Sequence, residues 1–251
     1  MIAYFVLALG LGAFVGPGAA PPSMPEPGSS DWGTLELPAD TLLRITRLRY
    51  DGGGDWYANP SSLPNLLRAV REWTGLPTVD REDVVALGDP GLADHPYLYL
   101  TGHGNVRFTP LERSALREHL LGGGFLHADD NYGLDESFRR EVGEIFPDRE
   151  FVEIPADHPI FHIVFEFSEG LPKIHEHDAK PPQAFGIFEG GRLVLVYTYE
   201  TDLGDGWEDP EVHDDPPDLR EAALQMGVNL FVYAVSTQVG AQEAGADKGK
   251  R

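Results

Sequence analysis

The sequence predicts an α/β domain: a mainly parallel sheet with helices on both faces, plus one β-hairpin. Two observations carry this expectation. Short apolar runs of strand length recur between residues 42 and 199, and helical patterns of roughly 10 to 15 residues separate many of them, the spacing of parallel crossovers. Near the end, Gly190-Gly191 divides two strand-like runs with no room for a helix, which demands an antiparallel turn.

Each element has its own local warrant. Residues 42–50 alternate and carry Ile45 and Leu48, a strand. Residues 63–73 have helical spacing, with Ser61 or Ser62 as cap and Pro64 in the first turn, where its missing N–H costs nothing. Residues 84–87 and 97–101 are short apolar strands. Thr109-Pro110-Leu111-Glu112 combines an N-cap, a first-turn proline and a capping-box glutamate, opening a helix that runs to Leu121 and stops at Gly122-Gly123-Gly124. Residues 125–128 form the next strand, Asp135 is expected to cap a helix through Phe146, and residues 151–154 form another strand. Residues 185–199 read as the hairpin, and residues 219–235 as a long, mostly buried final helix. There are no internal repeats.

The chain has 251 residues, of which 41 % are hydrophobic, enough for a real core. It carries 19 basic and 41 acidic side chains, a formal charge of −22, and no cysteine. Such acidity repels nucleic-acid phosphates and anionic lipid, and no basic patch offsets it, so nucleic acid is excluded as a partner. The missing cysteine excludes disulfides, thiolate metal sites and cysteine nucleophiles.

Four segments are expected. Residues 1–20 carry no charged side chain and end in Gly18-Ala19-Ala20, like a signal-peptidase site. No basic residue precedes the apolar run and Pro21 follows it, so an uncleaved membrane anchor is the alternative. Residues 21–40 are a Pro/Ser/Gly-rich linker, residues 41–238 a single α/β domain, and residues 239–251 a disordered tail. The reading is extracytoplasmic, periplasmic or secreted, with membrane contact only through residues 1–20.

In open α/β sheets ligands bind beyond the carboxyl ends of the strands. After the first strand comes Asp51-Gly52-Gly53-Gly54-Asp55-Trp56-Tyr57, and after residues 97–101 comes Gly102-His103-Gly104-Asn105. Residues 125 and 126 lead into His127-Ala128-Asp129-Asp130-Asn131-Tyr132-Gly133, and the hairpin into Glu200-Thr201-Asp202-Leu203-Gly204-Asp205-Gly206-Trp207-Glu208-Asp209. Four strand ends thus deliver glycine for close backbone approach together with His, Asp, Asn, Trp or Tyr.

The strings Tyr50-Asp51-Gly52-Gly53-Gly54-Asp55-Trp56-Tyr57, Leu100-Thr101-Gly102-His103-Gly104, Gly123-Gly124-Phe125-Leu126-His127-Ala128-Asp129-Asp130 and Asp202-Leu203-Gly204-Asp205-Gly206-Trp207-Glu208 resemble a bacterial family known only as domain of unknown function 4159. The resemblance covers about residues 42–236 and implies no particular activity. More distantly, Gly122-Gly123-Gly124-Phe125-Leu126-His127, Asp157-His158-Pro159-Ile160, Leu171-Pro172-Lys173-Ile174-His175-Glu176 and Gly191-Arg192-Leu193 resemble ThuA-like proteins. That likeness implies a flavodoxin-like, class I glutamine amidotransferase-like fold and a link to sugar metabolism. The amidotransferase reaction needs a cysteine nucleophile, which this chain lacks.

Two chemistries suit the strand-end residues. A divalent metal is the first, with His127, Asp129, His175 and His177 as candidate ligands: imidazoles with a carboxylate suit zinc or another first-row ion. Acid–base hydrolysis is the second, with His103, His127, Asp129, Asp130 and Glu176 as catalytic candidates, because clustered carboxylates push one another's pKa upward. Catalysis requires these groups to converge and to stay clear of packed core. Asp51, Trp56, Asn105, Tyr132, Asp202, Asp205 and Trp207 would bind the ligand, aromatic faces and acceptors being what a sugar-like molecule needs. The bland alternative is that the aromatics are core and the polar groups bond loop backbone. No Gly-x-Ser-x-Gly elbow or phosphate-binding glycine loop is present. Residues 200–221 hold ten acidic residues and read as a solvated loop, or more sharply as a cation site or lid with His213 reaching inward. The expectation is a hydrolase or binding protein for a small polar or carbohydrate-like ligand, against a non-catalytic module of a cell-envelope complex. Oligomeric state is not legible.

Overall fold

The computed structural model describes residues 40–248. The proposed signal or anchor and most of the linker lie outside the described residues. Seven strands are formed in chain order: β1 (Thr46–Arg49), β2 (Asp83–Ala86), β3 (Tyr97–Gly102), β4 (Phe125–Asp130), β5 (Val152–Glu153), β6 (Gln183–Glu189) and β7 (Arg192–Tyr199). They make one sheet in the order β2-β1-β3-β4-β7-β6-β5. The pairs from β2 through to β7 are parallel, and β6 and β5 are added antiparallel. The chain is an α/β protein, consistent with a flavodoxin-like fold.

The helices are α1 (Ser62–Thr74), α2 (Pro110–Leu121), α3 (Asp135–Ile145), α4 (Leu203–Gly206), α5 (Pro210–His213) and α6 (Pro217–Lys248). α1 and α6 cover one face, packing on Ile45, Tyr97, Tyr99, Phe125 and Val196. α2 and α3 cover the other, over Leu48, Leu98, Leu100, Leu126 and Tyr197. Side chains alternate between faces along a strand, so β3 and β4 feed both cores with successive residues. α6 is apolar on nearly every side from Ala223 to Val235, as a helix pressed between sheet, α1 and loops must be.

The capping box of α2 is complete: the Thr109 hydroxyl accepts from the Glu112 N–H at 3.3 Å, and the Glu112 carboxylate accepts from the Thr109 N–H at 2.7 Å. The hairpin turns on Gly190 and Gly191, both at positive φ as a two-residue type I′ turn requires. Other details depart from expectation. β4 runs on to Asp130, so Asp129 and Asp130 lie in the strand and face opposite sides. Leu134, not Asp135, precedes the first turn of α3, and its N–H is satisfied from a distance by Asp130 Oδ1 at 3.0 Å. α6 continues through residues expected to be a tail, where Ala241, Ala244 and Ala246 favour helix and proline is absent. The acidic stretch expected to be loop contains α4 and α5, each only one turn long.

Candidate active site

The site is built where α4 and α5 return across the carboxyl ends of β4 and β7. Arg47 on β1 is buried, and its guanidinium donates to the carbonyls of Trp56, Ala58 and Asn59 at 3.2, 2.7 and 3.1 Å. That clamp delivers the Asn59 amide to Asp205 Oδ1 at 2.6 Å, and Asn131, just past β4, donates to the same oxygen at 3.1 Å. Asp205 Oδ2 is left to face His175 Nδ1 at 3.0 Å and His213 Nε2 at 3.9 Å. The far nitrogen of His175, Nε2, lies 3.0 Å from Asp215 Oδ1. The rings of His175 and His213 meet edge to face, centroids 5.2 Å apart. Glu208, bonded through Oε1 to the N–H and hydroxyl of Ser61, brings Oε2 to 3.7 Å from His213.

A second pair adjoins the first. His177 Nε2 is hydrogen-bonded to Asp202 Oδ2, which also lies 3.6 Å from His175 Nδ1. The half-exposed ring of Tyr132 stacks on His177 at 4.7 Å. Tyr132, Glu200, Asp202 and Asp214 all take positive φ, a conformation that costs a non-glycine residue roughly 1 kcal/mol or more and that gathers at functional sites.

The electrostatics follow from the crowding. Hydrogen bonds to Asp202, Asp205 and Asp215 push the His175 pKa up to about 11. Burial alone would raise Asp205, but the bond from His175 and the neighbouring His213 and Asn59 outweigh it and hold its pKa below the ordinary value. Asp129 is displaced the other way, up to about 7, by burial; its bonds from Thr198 and Gly204 only partly offset this. Asp202 Oδ1 and Asp215 Oδ2 are buried with no hydrogen-bond partner among the described residues.

The strand ends, the glycine-rich approaches and the Asp202 to Glu208 segment all lie within residues 44–235, which match the family model described as Domain of unknown function (DUF4159). The chain belongs to this family. No curated protein matches it.

Within the DUF4159 domain the residues singled out by sequence separate into three groups. Asp202, Asp205, Tyr132, His175 and His177 come together as described. His103, Asp51, Asn105 and Trp56 lie on the β1 and β3 loops. There His103 Nδ1 pairs with Asp55 at 3.1 Å, and the carbonyls of Asp51 and Asn105 accept from Arg107 and Gly54 at 2.7 and 2.9 Å. Trp56 packs half-buried against the core, edge-on to Tyr57. Glu176 is exposed, its nearest cation Lys173 at 3.9 Å.

The third group points into core. His127 is fully buried, its ring against Tyr99 and Trp207, with Nδ1 3.5 Å from the Tyr97 hydroxyl and Nε2 3.0 Å from the Thr198 hydroxyl. Burial lowers its pKa to about 3, so it stays neutral. Trp207 is equally buried and donates to the Ala223 carbonyl at 2.7 Å, fastening α4 to α6. Asp129 accepts from the Gly204 N–H at 2.7 Å and so seats α4. Asp130 faces the opposite core and anchors α3. His103, His127 and Asp130 therefore form no common centre. The physical reason is the pleat: β4 sends His127 and Asp129 beneath α6 and Asp130 toward α3.

Asn59, Asn131, Arg47 and Asp215 went unread in the sequence, because a loop asparagine and a strand arginine carry no spacing signal. A cleft of about 710 Å³ lies at the opposite, amino ends of β3 and β4, bordered by Pro96, His119, Gly124 and Arg192. Arg192 there is engaged by the carbonyls of Leu120, Gly123 and Gly124. The convergent chemistry is at the carboxyl edge, not in this cleft.

Proposed function

We propose that this DUF4159 domain is a hydrolase for a small polar, polyhydroxylated ligand, working at the carboxyl edge of the sheet outside the cytoplasm. The observation that carries the reading is the convergence of His175 and His213 on Asp205, whose carboxylate is fixed from behind by Asn59 and Asn131. Hydrolysis needs a water polarised and a leaving group protonated, and imidazoles and carboxylates in mutual contact supply both capacities. The half-exposed face of Tyr132 offers a surface for stacking a sugar-like ring, and Asp178, 3.4 Å from the Tyr132 hydroxyl, an acceptor for ligand hydroxyls. Export rests on residues 1–20 and is tested separately, by cell fractionation.

The test is a panel of chromogenic glycosides and sugar esters. Wild-type protein should turn over at least one class, and Asp205→Asn should lose about 10²–10⁴-fold in kcat, the usual contribution of a positioned acid–base group. The variant's thermal unfolding should stay close to wild type. Absence of turnover across the panel, together with no sugar-induced thermal shift, overturns the reading.

A further inference from the structure

The His175, Asp205 and His213 side chains each offer one ligand atom, and these atoms lie within 4.8 Å of one another. We propose that they form a binding site for one first-row divalent metal ion, Zn²⁺ being the probe of choice. This goes beyond the hydrolytic reading and stands whether or not the domain hydrolyses anything.

Spacing supports it first. Ligands held at the usual zinc distances are themselves about 3.3 Å apart in a tetrahedron. Asp205 Oδ2 lies 3.0 Å from His175 Nδ1 and 3.9 Å from His213 Nε2, which brackets that value. Two imidazoles and one carboxylate make a three-ligand set with a position left open, the pattern of catalytic rather than structural zinc.

The surrounding shell is the second support. Metal-bound histidines almost always donate their other ring N–H to a carboxylate, which fixes tautomer and orientation. His175 has that arrangement ready: with Nδ1 toward the metal, Nε2 meets Asp215 Oδ1 at 3.0 Å. Asp205 is braced in the same way, its second oxygen held by two asparagine amides. Glu208 Oε2, 3.7 Å from His213 Nε2, is placed to act on the other imidazole.

The third support is independent of the cluster's own bonds. Asp202 is wholly buried, its carboxyl adjoins His175, and its Oδ1 has no partner among the described residues. Asp215, 9 % exposed at the side chain, leaves Oδ2 equally unpaired. An unpaired buried carboxylate oxygen costs several times what a satisfied one does, and a cation with its bound water is the group that removes that cost. Binding would displace the hydrogen now shared between His175 Nδ1 and Asp205 Oδ2, the metal taking its place.

The full chain, stripped with chelator and titrated with ZnCl₂, should retain one zinc per chain through gel filtration, with micromolar or tighter affinity. His175→Ala and His213→Ala should each weaken binding by at least 100-fold, and Asp215→Asn by about 10–100-fold, as loss of an outer partner does. His162→Ala, whose ring pairs with Glu166 away from the cluster, should bind as wild type does. Cobalt loading should give the visible absorption of a four-coordinate nitrogen–oxygen site, lost in His213→Ala. His213 is largely solvent-facing, so that variant should fold, which circular dichroism verifies. Sub-stoichiometric zinc in the wild type, or unchanged affinity in folded His175→Ala and His213→Ala, overturns the proposal. Tight zinc with no hydrolysis leaves it standing and sinks the hydrolase reading; hydrolysis undiminished by chelation, with no zinc retained, does the reverse.

Discussion

His119 and His127 show what burial does to single residues here. His119, in the last turn of α2, is held neutral, its pKa pushed down to about 4 by burial and by the nearby His95 and Arg192. An unfolded chain titrates the same ring near 6.5. Between those values the unfolded state takes up a proton that the folded state refuses, so this residue's contribution to stability falls as pH drops from 6.5 toward 4. Asp129 and Asp130 act oppositely. Their pKa values are raised to about 7 and about 6, so the folded state binds the extra proton and gains stability as pH falls toward 3.8. The net pH profile is therefore shallow, and a single variant is needed to resolve it. Urea midpoints of wild type and His119→Gln across pH 4–8 should differ by a constant amount above pH 6.5, with wild type losing ground to the variant below it. A difference that does not change with pH would show that His119 is not held neutral. At this scale the sequence named Asp202, Asp205, His175 and His177 correctly as neighbours of the carboxyl edge. It could not tell His127, two residues before Asp129, from a site histidine. A histidine reads as polar in any pattern, and only the Tyr99 and Trp207 rings packed around it show that it fills core.

Among the elements, α4 is the one on which the site depends. It is a single turn, too short to hold itself, and its position comes from tertiary bonds: Gly204 N–H to Asp129, Trp207 to Ala223, and Asn59 to Asp205. Gly204 has no side chain because none fits. A Cβ there would lie 2.6 Å from the Tyr99 hydroxyl oxygen and 2.9 Å from Asn59 Nδ2. Gly204→Ala should cost about 1–3 kcal/mol, the range for overpacking a tight contact, read as a lower urea midpoint at unchanged m-value. A loss below about 0.5 kcal/mol, within the scatter of ordinary surface changes, would mean that α4 is not seated as described. The longer elements were legible because their signals are local: Thr109 and Glu112 cap α2 by themselves, and Gly190-Gly191 closes the hairpin by itself. α4 and α5 were not, since one turn has no periodicity to read.

For the whole molecule the dominant quantity is charge. A net charge of −22 on 251 residues destabilises the compact state by self-repulsion, and added monovalent salt screens it. The thermal midpoint should rise between about 10 and 300 mM NaCl, where the Debye length contracts from ~30 Å to below 8 Å. A midpoint that falls or stays flat would show that attractive pairs, such as Arg113 with Glu141, outweigh the repulsion. Sodium should not substitute for zinc at the proposed site, so the two effects separate. By itself the sequence determined the α/β class, the strand and helix order, membership of the DUF4159 family and the edge at which polar groups gather. Each of these rests on period, capping or glycine turns acting over a few residues. Only the tertiary structure decided which of those groups meet. His175, Asp205, His213 and Asp215 come from a loop, two single turns and the segment before α6, and they converge because Arg47, Asp129 and Trp207 hold the intervening backbone. Such long-range convergence depends on packing between distant segments, which no local pattern encodes.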